Sequence, residues 1–503
     1  MAFGEDLSEL IRSDTALLVK HQSWERVKLS DVASVKNGFA FKSRYFGKEE
    51  GKPIVRIRDV LPGTTTTLYS GPDVEGYDVK PRDILVGMDG DFNCRRWTGR
   101  AALLNQRVCR IDMLTPDYLE DFLLYALPGY LAKINEHTSA VTVKHLSSKT
   151  MKSIDLPLPP LAEQARIVSR IDELFSDIEA GERAVERARA ALSRYRKAVL
   201  KAAVTGELTA DWRADNPLTE TAQALLTRIR QARFEAWEKA ELEKLDAKGK
   251  ARPKTEKQWE TFKGRYKEPE CTVTADVVLP PAWVLSNFDL LTSVFRNGLS
   301  KRPGEEENQW PILRISAVRE MGVDAKDVRF YPEIHSDQTT DFWVEKNDLL
   351  FTRYNGSVRL VGVCGLYRET QRVLHPDKLI KLRLASKEDN LPEWIEIAAN
   401  SGVTKNFIAS CVKTSAGQHG VAGGDIKRAP VPLPPLAEQR EIVSRVEAAL
   451  SRADAVEASL NAQTRQAQAL RQAILKRAFA GELVDQDPND EPAHELLERI
   501  MAS

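Results

Sequence analysis

The octapeptide PLPPLAEQ occurs twice in this 503-residue chain, at 157–164 and again at 432–439, 275 residues later. At the same offset Gly206-Glu207-Leu208 returns as Gly481-Glu482-Leu483, with no insertion between the anchors. Over 157–209 against 432–484, 23 of 53 positions are identical. Repetition on this scale constrains the architecture before any local reading does: the chain is a direct duplication, built as domain, helix, domain, helix.

Each copy predicts a long helix. Pro159-Pro160 and Pro434-Pro435 can open a helix but would break its interior, and neither segment holds another proline before GEL. In the first copy Ile167, Ile171, Leu174, Ile178, Gly181, Val185, Ala188, Leu192, Tyr195, Val199 and Ala202 follow alternating steps of four and three, the a/d seam of a heptad. In the second copy the corresponding seam carries Ile442, Val446, Val456, Leu460, Leu470 and Ile474, with Gln463 and Arg477 as polar exceptions. Such seams would leave apolar surface in water, so the two helices are expected to pair; the other arrangement leaves each on its own domain. Antiparallel pairing would relate the repeats by a pseudo-two-fold axis. A fainter echo follows each helix: Ala222, Leu225, Leu226, Arg228 and Ile229 resemble Ala493, Leu496, Leu497, Arg499 and Ile500. Residues 227–267 are dense in Lys, Arg and Glu and read as a charged helical extension.

The segments before each helix share a grammar of mixed α and β type. Trp24 and Trp283 open them, and Asn37-Gly38 and Asn297-Gly298 follow as expected turns. PIVRIRDV (53–60) and PILRISAV (311–318) read as alternating strands with Arg56 and Arg314 at the same place. KPRDILVG (80–87) and EKNDLLFT (345–352) read as strands after charged turns. Asp89-Gly90-Asp91 forms the next turn of the first segment, and Asn355-Gly356 predicts a tight hairpin in the second.

Two diverged domains held on a helical spacer suit a partner with repeated, evenly spaced features, and DNA read by symmetry-related modules is such a partner. Arg353, Tyr354, Asn355, Ser357 and Arg359 cluster around the expected hairpin; Arg and Asn can make paired bonds to guanine and adenine edges. Lys413, Gln418 and His419 lie in the polar stretch KTSAGQHG, which could grip phosphates. Lys42, Arg44, Asp91, Asn93, Arg95 and Arg96 are the candidates in the first domain. Composition sets a bound on this reading. Lys plus Arg and Asp plus Glu both number 73, so the chain is not a binder that works by overall charge.

Enzymatic signatures are missing. There is no GxxxxGK[ST] loop, no glycine-rich methyl-donor loop and no HExxH spacing among the seven histidines. Asn216-Pro217-Leu218 lacks the second proline and the aromatic of an amino-methyltransferase motif. A nuclease pattern forced from Pro72, Asp73, Asp78 and Lys80 leaves too little chain for two strands. Five cysteines without CxxC spacing read as buried free thiols. The start of the chain has no secretory pattern and no run is long and apolar enough for a membrane helix, so a cytoplasmic, membrane-free setting is expected.

These residues resemble a known family. The twofold PLPPLAEQ…GEL helix, each preceded by a variable α/β domain, is similar to the specificity subunit of type I restriction–modification enzymes. MDGDFN (88–93), RYNGS (353–357) and GVCGL (362–366) resemble segments of that family's target recognition domains, and GELTADWR (206–213) resembles the K-type, or IA, branch; the second copy continues as VDQDP instead. The resemblance implies an α+β architecture. Target recognition domains would span 23–155 and 271–430, spacer helices 156–209 and 431–484, a charged helical linker 210–270, and helical end segments 1–22 and 485–503. It implies that each recognition domain reads one half of a bipartite site in double-stranded DNA while an antiparallel coiled coil sets the gap. Two modification subunits would dock there and two restriction subunits could join. S-adenosylmethionine, ATP and magnesium would be used by those partners, with no cofactor bound by this chain. The competing classes are a coiled-coil scaffold without DNA specificity and a self-sufficient DNA enzyme.

Overall fold

The computed structural model describes residues 21–138, 144–217, 220–271, 277–300, 310–331, 340–415 and 417–502. The expected helical role of residues 1–22 lies almost wholly outside them. The chain divides into two compact units, one of residues up to Arg187 together with Leu460 onward, the other Ala188–Ser459. Each unit therefore takes part of both long helices, Leu161–Thr205 and Leu436–Phe479.

The duplication is legible strand by strand. In the first unit Ala33–Asn37, Val108–Met113, Ile84–Gly87 and Cys94–Arg96 form a four-stranded sheet in that order. In the second unit Thr292–Asn297, Leu379–Leu384, Leu349–Thr352 and Cys364–Leu366 repeat it. Both sheets are antiparallel. A second sheet in each unit, of five strands in the first and four in the second, contains one parallel pairing, Ile54 beside Leu103 and Ile312 beside Leu374. The strand entering each unit pairs with the strand that precedes the long helix: Glu25–Lys28 with Asp155–Leu158, and Val284–Asn287 with Pro430–Leu433.

The charged turns before the expected strands are real and have one cause. Arg82 and Asn347 adopt left-handed conformations, with φ of 79° and 72°. In each turn a carboxylate accepts from a backbone amide three residues earlier: Lys80 N donates to Asp83 at 2.7 Å and Glu345 N to Asp348 at 2.8 Å. Other expectations need correction. PIVRIRDV and PILRISAV are not single strands. They end at Val55 and Leu313, and helical turns Ile57–Val60 and Ile315–Ala317 follow. Asn37-Gly38 and Asn297-Gly298 are not turns either. A Cβ on Gly38 would stand 2.1 Å from the Asn105 carbonyl oxygen, and one on Gly298 2.2 Å from that of His375, so glycine serves close backbone approach. Cys109 and Cys364 are buried free thiols, whereas Cys94, Cys271 and Cys411 are only half-buried.

The PLPPLAEQ motif locks the helix to its domain. In the first unit the Trp24 indole N–H donates to Glu163 at 3.0 Å; in the second, Trp283 donates to Glu438 at 2.8 Å. Gln164 and Gln439 turn back to the carbonyls of Pro159 and Pro434 at 3.0 and 2.8 Å. All four side chains are fully buried. Both GEL glycines have φ of 75°, ending the long helices in the left-handed conformation that glycine adopts without a Cβ penalty. The divergence after GEL has a structural meaning here. Glu438 receives Thr209 and Arg213, each at 2.8 Å, whereas Glu163 receives Gln486.

Within each unit the helical segments run antiparallel. In the first, Glu163 meets Gln486 and Glu182 meets Arg471 at 2.9 Å. In the second, Arg196 meets Asp454 and Glu457 at 2.5 and 2.6 Å, and Asp211 meets Arg445 at 2.7 Å. Ile167, Ile171, Ile178, Val185, Leu460 and Ile474 are buried in the first unit, and Val199, Ile442 and Val446 in the second. Leu174 and Leu192 are half-buried. Tyr195, Val456 and Leu470 are exposed by 43%, 48% and 48%, so the seam assigned to them is interrupted at those positions. Near Tyr195 the helix presents the neighbouring Arg196 to its partner, and ion pairs replace apolar packing. The echo after each helix also packs: Leu225, Leu226 and Ile229 enter the second unit's core, Leu496 and Ile500 the first unit's.

Candidate nucleic-acid interface

In the second unit the fold gathers two clusters that are far apart in sequence. Tyr354–Asn355, Gln418–Gly420 and Lys413–Ser415 form one three-stranded sheet, with Tyr354 opposite Gly420 and Asn355 opposite His419. The tight hairpin expected at Asn355-Gly356 is therefore corrected. Asn355 pairs with a distant strand, and its side-chain oxygen accepts from Ser357 N at 3.0 Å, closing a local turn. The true hairpin joins 413–415 to 418–420, with Gly417 at φ 77°. Tyr354 is held by two neighbours. The Arg353 guanidinium lies 4.8 Å from its ring centroid, and a Cβ on Gly420 would stand 2.4 Å from its ring.

Tyr354, Asn355 and Gln418 line a cleft of about 870 Å³ together with Arg314, Arg319, Arg329 and Lys378. Arg314 lies 3.8 Å from Asp327, and the Arg329 Nε is buried without a hydrogen-bond partner among the described residues. The Arg353 Nε is likewise unpartnered. Lys413 and Arg359 are exposed and do not line the cleft; Ser357 is exposed, and His419 is half-buried with its ring bonded to Thr414 at 2.8 Å. The four cations of the cleft were not among the sequence candidates. Arg314 was visible at a repeated strand position, whereas Arg319, Arg329 and Lys378 reach the cleft only through folding.

The first unit has the corresponding site at other residues than those expected. Asp89 bridges His145 across two segments, as Tyr354 bridges Gly420. The Asp89 carboxylate accepts from Arg107 and from the His145 ring, each at 2.7 Å. Around it Gly90 N donates to Lys144 O at 3.1 Å and Leu146 N to Met88 O at 2.7 Å. Of the sequence candidates, Asp91 is exposed and Asn93 half-buried one turn away. Lys42 and Arg44 are exposed elsewhere, Arg44 lying 4.8 Å from the Tyr45 ring centroid. Arg95 is exposed and bonds the Leu61 carbonyl. Arg96 is committed to the fold: it pairs with Asp121 and with Glu120 at 3.2 Å on the first turn of helix Glu120–His137, and donates to Arg82 O at 2.8 Å. Asp89, Arg107, Lys144 and His145 were missed. One signal could have found them: a histidine stands shortly before PLPP in both copies, His145 and His419.

Two copies of one α/β unit, each offering a polar backbone bridge at the same place, define a duplicated recognition protein. The comparisons specify its family. The model for the type I restriction modification DNA specificity domain matches residues 21–187. The chain is 34% identical to the type I restriction enzyme EcoBI specificity subunit of Escherichia coli over 515 residues, covering all of this chain and 97% of that one. It is 31% identical to the EcoKI specificity subunit of Escherichia coli strain K12, covering 96% of this chain and 95% of that one. A chain solved in a study of complex assembly and conformational transition of the type I R-M system shares the fold at a TM-score of 0.54 and 15% identity, with 92% and 99% of the two chains covered. The chain belongs to the specificity subunits of type I restriction–modification systems, on the K-type branch. It is a DNA-specificity component, and catalysis lies in partner subunits. The scaffold alternative finds no support among these relatives. Among the described residues no helix is long and apolar enough to cross a membrane.

Proposed function

We propose that each unit reads one half of a bipartite, gapped site in double-stranded DNA, and that the paired helices set the gap and dock two modification subunits. Two restriction subunits join the same complex. S-adenosylmethionine, ATP and magnesium act in those partners in the cytoplasm, and this chain binds none of them. In this reading the second unit reads with Arg353, Tyr354, Asn355 and Gln418, backed by Arg314, Arg329 and Lys378. The first unit reads with Asp89 and its partners Arg107 and His145, aided by Asp91 and Asn93.

One observation carries the reading. The two units place different hydrogen-bonding groups, Asp89 and Tyr354, on the same backbone bridge, where Leu146 N donates to Met88 O and Val421 N to Arg353 O. A carboxylate only accepts, whereas a hydroxyl both donates and accepts, so one frame offers two different edges to a base pair. Cations around the cleft supply phosphate contacts without sequence information. The test is methylome sequencing of a host carrying this chain and its modification subunit. One gapped adenine-methylated motif is expected; methylation unchanged on deleting this chain would reject the proposal.

A further inference from the structure

The second unit carries an arm that neither the repeat nor the reading cleft explains. Helix Ala222–Ala247 starts as the repeated element, then continues and is followed by helix Glu256–Lys263. Between them the two helices close a small aromatic core. Trp237 lies 5.5 Å from Phe262 and 5.2 Å from Tyr266, and Phe234 lies 5.1 Å from Tyr266. The base of the arm is fastened to the recognition domain. Arg233 donates to the carbonyls of Asp289 and Thr292, each at 3.1 Å, and to the Tyr266 hydroxyl at 2.9 Å. Asn287 donates to Glu270 O at 3.1 Å where the chain returns. About 20 Å of helix extends beyond Arg233.

The arm's charge is lopsided in a chain whose total is zero. Residues 248–267 hold eight Lys and Arg against two Glu. Some of the arm's cations are neutralised: Arg252 by Asp246, and Lys263 by Glu238 at 3.9 Å. Lys248, Lys250, Lys254 and Lys257 are exposed and have no ion pair among the described residues. No large apolar side chain of the arm is exposed, because its aromatics face inward. Protein interfaces need a buried apolar centre and are poor in lysine. A surface that offers only mobile point charges on a braced support fits a polyanion. Resting on the DNA-specificity reading, we infer that this arm is an accessory DNA clamp. Its four tip lysines grip backbone phosphates without reading sequence.

The test uses the full chain in complex with its modification subunits. Wild type and the quadruple variant Lys248→Gln, Lys250→Gln, Lys254→Gln, Lys257→Gln are titrated by fluorescence anisotropy against a motif duplex and a scrambled duplex across a salt series. Each phosphate contact contributes about 0.9 to the slope of log K against log salt. The variant should lower that slope by about two to four, weaken both duplexes by the same factor and leave the motif unchanged. The corresponding quadruple Lys→Arg variant should keep the wild-type slope. An unchanged slope and affinity would overturn the clamp. So would a loss that follows from failure of the modification subunits to copurify, which would make the arm a protein-docking surface. If wild type prefers neither duplex, the specificity reading fails, but the slope difference still decides the clamp.

Discussion

At the bridge proposed for reading, the first unit presents Asp89, held by Arg107 and His145, where the second presents Tyr354 beside an open cleft. The surrounding backbones agree closely, down to the left-handed turn residues Arg82 and Asn347. The difference also reaches the supporting helices. At the matching place the first unit has helix Glu120–His137, which tolerates Pro128 inside it, and the second has Leu391–Ala399 and Gly402–Ser410, divided at Asn400 and Ser401. The positions that agree bury the core and close the turns, and the positions that differ include those proposed to read DNA. A duplicated frame can thus diverge in what it binds without diverging in how it folds.

The helical pair offers the largest way to break this comparison. Deleting four residues from the middle of one long helix shifts its seam by less than a heptad. The expected outcome is a changed gap in the methylated motif or complete loss of binding, checked by methylome sequencing and gel shift.

The buried locks should separate the units by energy. Glu438→Ala strands the partly buried Arg213 together with Trp283 and Thr209, and should cost about 3 kcal/mol. Glu163→Ala strands the neutral donors Trp24 and Gln486 and should cost about 1–2 kcal/mol. Urea unfolding of both variants checks the order.

Acid should act on the second unit through His375. Burial, ahead of any neighbouring charge, pushes its pKa down to about 4. The unfolded value is about 6.5, so the native state favours the neutral ring. Its contribution is fully present above pH 6.5 and is lost as pH falls through 4; about 2 kcal/mol should be gone by pH 5. The first unit has buried Leu104 at the matching place, next to the same parallel strand pairing. His375→Leu should flatten the loss between pH 7 and pH 5 in urea titrations. Smallest of all, Tyr195→Ala and Val456→Ala should change stability by only about 0.5 kcal/mol, because both side chains are exposed.

Much of this molecule was legible in its sequence because the repeat is long and ungapped. The helices, the charged turns and the two-copy plan follow from proline placement, heptad steps and matching motifs. The reading edge was legible only in part. Arg353, Tyr354 and Asn355 stand together in sequence, but their pairing with 418–420 is non-local, and no local pattern encodes it. Asn-Gly at 37–38 and 297–298 misled because glycine answers equally to a turn and to close backbone contact. Asp89, read only as part of a turn, and His145 were not singled out because the residues they match, Tyr354 and Gly420, are of other types, which removes the similarity that marks the other matched pairs. The motif's own Glu and Gln proved to be the fold's lock, buried away from any partner.

The central claim is that one frame carries two independent readers, and a substitution on the bridging strand of each unit tests it most directly. Methylomes of hosts carrying the modification subunit with Asp89→Asn or with Asn355→Asp would each be compared with wild type. Each variant should alter or abolish specificity in one half of the motif, a different half in each case, with the other half and the gap retained. Changes that strike both halves together, or motifs untouched by either substitution, would contradict the account.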